Sequence, residues 1–175
     1  HGWLQPDLEF LSAMNANRYR TLFRTAVADT AFAALAAFGA QLALMPTAVA
    51  QIVAYKAAPA SQQPTVLNAG NGVPLVNIQT PSAAGVSRNT YEQFDVQQQG
   101  AILNNSRTNT QTQLGGWIQG NPWLAAGSAR VILNEVVAAN RSTLAGFTEV
   151  LGGKADVVVA NPWGITCAGC GFLNT

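Results

Sequence analysis

The feature that most constrains this chain is a duplicated spacing. Asn121-Pro122-Trp123 recurs as Asn161-Pro162-Trp163, and each copy is followed at the same offset by a Leu-Asn pair, Leu133-Asn134 and Leu173-Asn174. Pro fixes φ for the second position of a turn and Asn is favoured before it, so both copies predict tight type I-like bends. Trp disfavours positive φ, which places Trp123 and Trp163 over neighbouring structure rather than in a left-handed corner. A repeat of 40 residues suits two coils of about twenty residues each in a solenoid, with both copies in the same phase.

The rest of the pattern after Gln51 agrees with short strands. Pro59, Pro64, Pro74 and Pro81 interrupt brief apolar runs at Thr65-Val66-Leu67 and Leu75-Val76-Asn77-Ile78. A sustained 3.6-residue apolar stripe is missing, apart from a turn or two near Asn134 to Leu144, so the expectation is a nearly all-β body. Further apolar-Leu-Asn triplets stand at Val66-Leu67-Asn68 and Ile102-Leu103-Asn104. In a stacked fold such an Asn tolerates left-handed backbone at a corner, and its amide reaches a like residue one rung away.

The first fifty residues read differently. Arg18, Arg20 and Arg24 precede a long Ala/Leu/Phe stretch, and Ala48-Val49-Ala50 follows Pro46. That order is a secretory signal with cleavage after Ala50, leaving Gln51 as the first mature residue and implying the Sec machinery and signal peptidase as partners. A membrane anchor over Ala26 to Met45 is the competing reading. Asp29 opposes it, because a carboxylate at a helix centre in the bilayer costs about 2.5–3.5 kcal/mol and Ala returns almost nothing. A buried helix of a soluble domain is the third reading. Residues 1–13 precede Met14 and fit neither pattern: they are an over-extended start or a loosely ordered leader.

Composition excludes several function classes. Charged residues make up 10% of the chain and the net charge is +1, which provides no basic face for nucleic acid. His1 is the single histidine and Cys167 and Cys170 the only cysteines, so a four-ligand zinc site is not expected, nor any cofactor. After Ala50 the acids are Glu92, Asp95, Glu135, Glu149 and Asp156, with no two spaced so that they must meet. Asp156 ahead of Val157-Val158-Val159 reads as a strand-end surface charge, and Gly152-Gly153-Lys154 as a turn rather than a phosphate loop.

Four stretches carry a resemblance to a known family. Gly85 to Ser106 (GVSRNTYEQFDVQQQGAILNNS) is similar to the opening strands of the two-partner secretion, or haemagglutination-activity, domain. Asn121-Pro122-Trp123-Leu124, Ala129 to Val136 (ARVILNEV) and Ala155 to Thr175 (ADVVVANPWGITCAGCGFLNT) resemble its later motifs. Met14 to Arg24 resembles the extended signal region of very large exported proteins.

The resemblance implies an all-β, right-handed parallel β-helix preceded by a helical signal segment. The organisation is then residues 1–13 as an upstream extension, 14–50 as an extended signal and 51–175 as the secretion domain, truncated at its C-terminal end. It implies a non-enzymatic N-terminal module of an adhesin, haemagglutinin or contact-dependent inhibition toxin, exported by a Gram-negative bacterium through a partner outer-membrane β-barrel whose periplasmic domains recognise it. Asn121, Pro122, Trp123, Leu124, Asn161, Pro162, Trp163 and Gly164 would be the turn and recognition motifs. The family's usual third motif residue is Asn, so Trp123 and Trp163 depart from it. Cys167 and Cys170 suit export to an oxidising compartment as a structural bridge or as free thiols, against a redox-active pair. The rival readings are an adhesin acting through this domain and a polysaccharide-acting enzyme on a β-helix.

Overall fold

The computed structural model describes residues 52–175. The expected signal helix, the cleavage residues Ala48, Ala50 and Gln51, and the upstream extension lie outside them. The described chain consists of thirteen short strands and two single turns of 3-10 helix. In order these strands are β1 (Ile52–Ala54), β2 (Thr65–Asn68), β3 (Pro74–Asn77), β4 (Val86–Phe94), β5 (Ala101–Asn105), β6 (Thr110–Thr112), β7 (Gly116–Ile118), β8 (Val131–Val136), β9 (Ser142–Leu144), β10 (Phe147–Gly152), β11 (Asp156–Ala160), β12 (Ile165–Cys167) and β13 (Gly171–Leu173). The apolar runs at residues 65–67 and 75–78 fall on β2 and β3. The stretch from Asn134 to Leu144, where a helical turn was expected, holds the end of β8 and all of β9 instead. Its buried side chains alternate along β8, the period of a half-buried strand.

The strands pair mostly in parallel between segments far apart in sequence. One sheet runs β1-β4-β8-β11 and another β13-β10-β5-β3-β2, with β12 beside β9. Val86 of β4 lies opposite Val131 of β8, and Val131 lies opposite Asp156 of β11. In the second sheet Leu103 is flanked by Val76 and Val150. Identical faces therefore superpose from one layer to the next, and Val76, Leu103 and Val150 form one column of the core. Parallel strands buried this way call for continuous apolar filling, which Ile132, Val136, Leu124 and Phe94 complete. At the N-terminal end the pairing changes: β1 is antiparallel to β4 and β2 to β3, so a different hydrogen-bonding pattern closes that side.

These registers correct the expected repeat. From β4 to β8 the chain advances 45 residues, and from β8 to β11 only 25. The longer step contains an antiparallel hairpin, β6-β7, that the sequence pattern did not reveal. The 40-residue spacing is no multiple of either step, and the two Asn-Pro-Trp copies occupy different corners. Asn161 follows β11, a strand of the first sheet, and leads to β12. Asn121 follows β7 of the hairpin and leads, through a 3-10 turn, to β8. Leu133-Asn134 lies in the first sheet, whereas Leu173-Asn174 closes β13 of the second.

The β6-β7 hairpin folds back on the outer face of the second sheet and seals a smaller apolar cluster of Ala69, Val73, Leu75, Ile102, Ile118 and Leu151, with Leu114 against it. Close approach explains Gly115 in its turn: a Cβ there would stand 2.6 Å from the Ile102 side chain and 2.9 Å from that of Ala69. Trp117, on the opposite face of β7, is 72% exposed.

Candidate functional site

Both Asn-Pro-Trp copies make the same local bend. The Trp123 backbone N–H donates to Asn121 Oδ1 at 3.0 Å and that of Trp163 to Asn161 Oδ1 at 2.9 Å. The Leu124 N–H donates to the Asn121 carbonyl and the Gly164 N–H to that of Asn161, closing each turn. These are the tight turns the sequence predicts, with Pro122 and Pro162 at the position whose φ they fix. Because the third residue contributes only its backbone amide, Trp in place of Asn leaves the bend intact.

Each motif Asn also fastens the turn to a second segment. Asn121 Nδ2 donates to the Ile78 and Asn104 carbonyls, both at 2.9 Å. Asn161 Nδ2 donates to the Asn140 carbonyl at 2.8 Å and to Ser142 Oγ at 2.9 Å. Asn121 is 3% exposed and Asn161 is half-buried. Pro122, Trp123, Pro162 and Trp163 are exposed and Leu124 is fully buried, so each motif presents its Pro and Trp to solvent while the Asn points inward. Trp123 covers adjacent structure, as expected, its indole N–H donating to Thr65 Oγ1 of β2 at 3.2 Å and its carbonyl accepting from Thr80 Oγ1.

Other buried amides repeat this arrangement. Asn104 and Asn77 are register partners, and Asn104 Nδ2 donates to Asn77 Oδ1 at 2.8 Å, the rung-to-rung contact the sequence predicts. Asn89 and Asn134 are also register partners. There the Tyr91 hydroxyl donates to Asn134 Oδ1 at 3.0 Å; burial pushes its pKa up, so it stays a neutral donor. Asn105 makes three bonds, donating to the Ala129 and Gly153 carbonyls and accepting from the Ala129 N–H. The left-handed backbone expected at these asparagines occurs, among described non-glycine residues, only at Asn174. Elsewhere the Asn lies within or beside a strand, and its side chain rather than its backbone performs the corner function.

The acids take structural places. Asp156 begins β11 and is exposed, as expected of a strand-end charge. Asp95 Oδ1 accepts from the Thr143 N–H at 2.7 Å, and Arg88 pairs with Glu135 at the surface. Glu149 was not singled out by the sequence, yet it is 5% exposed and accepts from the Gln113 and Leu114 backbone N–H groups at 2.8–3.1 Å. It pins the turn of the inserted hairpin to β10. Its position in the strand alternation, outward-facing but covered, was the available signal; the covering hairpin had to be known first. Replacing Glu149 with Ala is expected to lower stability by about 2 kcal/mol, since two amides lose a charged acceptor. Hydrogen exchange at Gln113 and Leu114 should accelerate while the amides of β8 are unchanged, and equal acceleration in both would refute the local anchoring.

Cys167 and Cys170 are joined by a disulfide across the bend between β12 and β13. Among the described residues, no three His, Cys, Asp or Glu side chains gather where a metal ion could be held, and no helix is long and apolar enough to cross a membrane. A groove of about 300 Å³ between β1 and β2 is lined by apolar side chains with Lys56 and Asn68 as its polar members.

Stacked short strands held by inward-facing asparagines, with exposed turns between them, define an all-β scaffold module. The family model of the TPS secretion domain matches residues 50–175, and the chain belongs to that family, whose domains direct two-partner secretion. It is 60% identical over 128 residues to "Toxin CdiA" of Yersinia pestis, covering 73% of this chain and 4% of that protein. It is 61% identical over 108 residues to "tRNA nuclease CdiA" of Yersinia mollaretii, covering 61% of this chain and again 4% of the relative. The crystal structure of the filamentous hemagglutinin secretion domain superposes with a TM-score of 0.64 at 40% identity, covering 71% of this chain and 39% of that one. The family implies an outer-membrane transporter as partner and an exported protein of a Gram-negative bacterium, at the cell surface or secreted. The chain spans about 4% of the length of these curated relatives, and the region they share with it is the secretion domain.

Proposed function

We propose that this chain is the N-terminal secretion module of a large contact-dependent inhibition toxin, and that residues 51–175 coil as a right-handed parallel β-helix. The observation that carries the coil reading is the succession of parallel registers, β4-β8-β11 in one sheet and β3-β5-β10-β13 in the other, each strand pairing with the next turn of the chain. The toxin reading rests on the relatives' names, which include "Toxin CdiA", "tRNA nuclease CdiA" and "16S rRNA endonuclease CdiA". Such an activity belongs to the whole proteins. The module itself acts as an address and a folding nucleus, without catalysis.

In this reading residues 14–50 form an extended signal used by the Sec machinery and removed after Ala50. The incompletely folded chain then meets the transporter's periplasmic domains, where unpaired strand edges supply affinity by strand addition with little demand on side-chain identity. Asn121 and Asn161 serve by closing corners once the chain emerges, and folding outside the cell opposes back-sliding.

The test is co-expression of the full chain with a candidate outer-membrane transporter. The chain is expected in the medium only when the transporter is present, and the exported species should begin at Gln51 by intact mass and N-terminal sequencing. Export without any partner overturns the proposal, and an uncleaved exported form overturns the signal assignment. Cell binding by the purified chain would favour the adhesin, and release of sugar from a polysaccharide the enzyme.

A further inference from the structure

Asn71-Gly72 is the one Asn-Gly dipeptide in the chain. After Asn, a Gly leaves the following peptide nitrogen unshielded by any side chain, so that nitrogen reaches the Asn amide carbon more readily than in any other sequence context. Both residues are exposed in the turn between β2 and β3, and Gly72 has φ +86°, a conformation that L side chains rarely adopt.

In the folded turn the reacting groups are engaged in other hydrogen bonds. The Gly72 N–H donates to the Ala69 carbonyl at 2.9 Å. Asn71 Nδ2 donates to the Leu114 carbonyl at 2.7 Å, and Asn71 Oδ1 accepts from the Val73 N–H at 3.3 Å. The bond to Leu114 also ties the β2-β3 turn to the β6-β7 turn, beside the cluster of Ala69, Val73, Leu75 and Ile102.

We propose that Asn71 is a deamidation site that the native turn protects and that, once reacted, weakens docking of the β6-β7 hairpin. The deprotonated Gly72 nitrogen attacks Asn71 Cγ, the side-chain nitrogen leaves as ammonia, and a five-membered succinimide forms. Water opens it at either carbonyl to aspartate or isoaspartate. The net change is addition of one water and loss of one ammonia, with no other reactant. Either product lacks the N–H that meets the Leu114 carbonyl and sets a carboxylate against it, and isoaspartate lengthens the turn by one backbone carbon. The modification thus records time spent unfolded, a biological meaning that rests on the export route proposed above; the chemistry does not.

The test compares the purified full chain at mildly alkaline pH with and without urea, followed by peptide mapping and isoaspartate detection. Deamidation at Asn71 is expected to run about tenfold or more faster in urea, because each 1.4 kcal/mol of local opening free energy slows the native reaction tenfold. Gly72→Ala should suppress the reaction in urea, where strain at that φ is irrelevant. Asn71→Asp should fold, yet exchange its amides in residues 110–118 faster than the parent. Equal rates with and without urea, reaction at Asn71 no faster than at other asparagines in urea, or unchanged hairpin exchange in Asn71→Asp would each overturn the proposal.

Discussion

Asn105→Ala is expected to lose about 3 kcal/mol or more of folding stability, the largest effect of any single amide truncation in the stack. The side chain is fully buried, and its removal orphans the Ala129 N–H and the Ala129 and Gly153 carbonyls at once. A buried backbone group left without a partner costs about 1–3 kcal/mol, and water entering the small cavity recovers part of that. Three segments meet there, the end of β5, the approach to β8 and the turn after β10, so the loss is expected to propagate through all of them. Asn105→Asp adds a sign that can be checked. A carboxylate facing two carbonyls is destabilised, so its folded pKa is raised above the unfolded value of about 4. The charge penalty is then absent below pH 4 and grows as pH rises towards the folded pKa. Urea midpoints measured against pH should show Asn105→Asp approaching the parent in acid and falling away at neutrality. A midpoint for Asn105→Ala within 0.5 kcal/mol of the parent, the range of ordinary surface substitutions, would show that Asn105 does not staple the layers.

Asn121→Ala is expected to cost about 3 kcal/mol and Asn161→Ala about 1 kcal/mol, although the two motifs read identically in sequence. Each substitution removes three hydrogen bonds, but Asn121 is 3% exposed while Asn161 is half-buried, so water replaces the lost partners at the second site and not at the first. Thermal or denaturant unfolding of the paired variants checks the ranking. With a transporter present, the yield of protease-resistant protein in the medium should follow the same order. Equal losses at both sites would mean that burial does not govern the corner, and a larger export defect for Asn161→Ala would mean that the transporter reads this motif directly.

Much of the fold was legible because strands and turns carry local chemistry. Apolar runs bounded by Pro located β2 and β3, Val157-Val158-Val159 located β11, and Asn-Pro at two places predicted the same bend that both copies make. What failed was the extrapolation from a spacing to a phase. The 40 residues between the two motifs span four strands, β8 to β11, with their connections, and none of the β6-β7 hairpin, which lies before the first copy; the equal offsets to Leu133 and Leu173 therefore end in different sheets. The hairpin itself left little trace, since Thr110 to Thr112 and Gly116 to Ile118 are three residues each and too short for any alternation to stand out. Glu149 and Asp95 did not stand out among the acids for a related reason: a carboxylate satisfied by backbone amides can be buried, but only the distant segment supplying those amides reveals it.

The amino-acid sequence by itself determined the all-β character, the bends at Asn121 and Asn161, and membership of a secretion-domain family, because each depends on residues within a few positions of one another or on motif identity. Tertiary structure alone decided the register of the layers, the insertion that lengthens one of them, and which asparagine is sealed from water. Those depend on pairing between segments twenty to fifty residues apart, where a parallel ladder accepts any register that keeps apolar faces aligned, and the final choice belongs to the buried amides that must all find partners together.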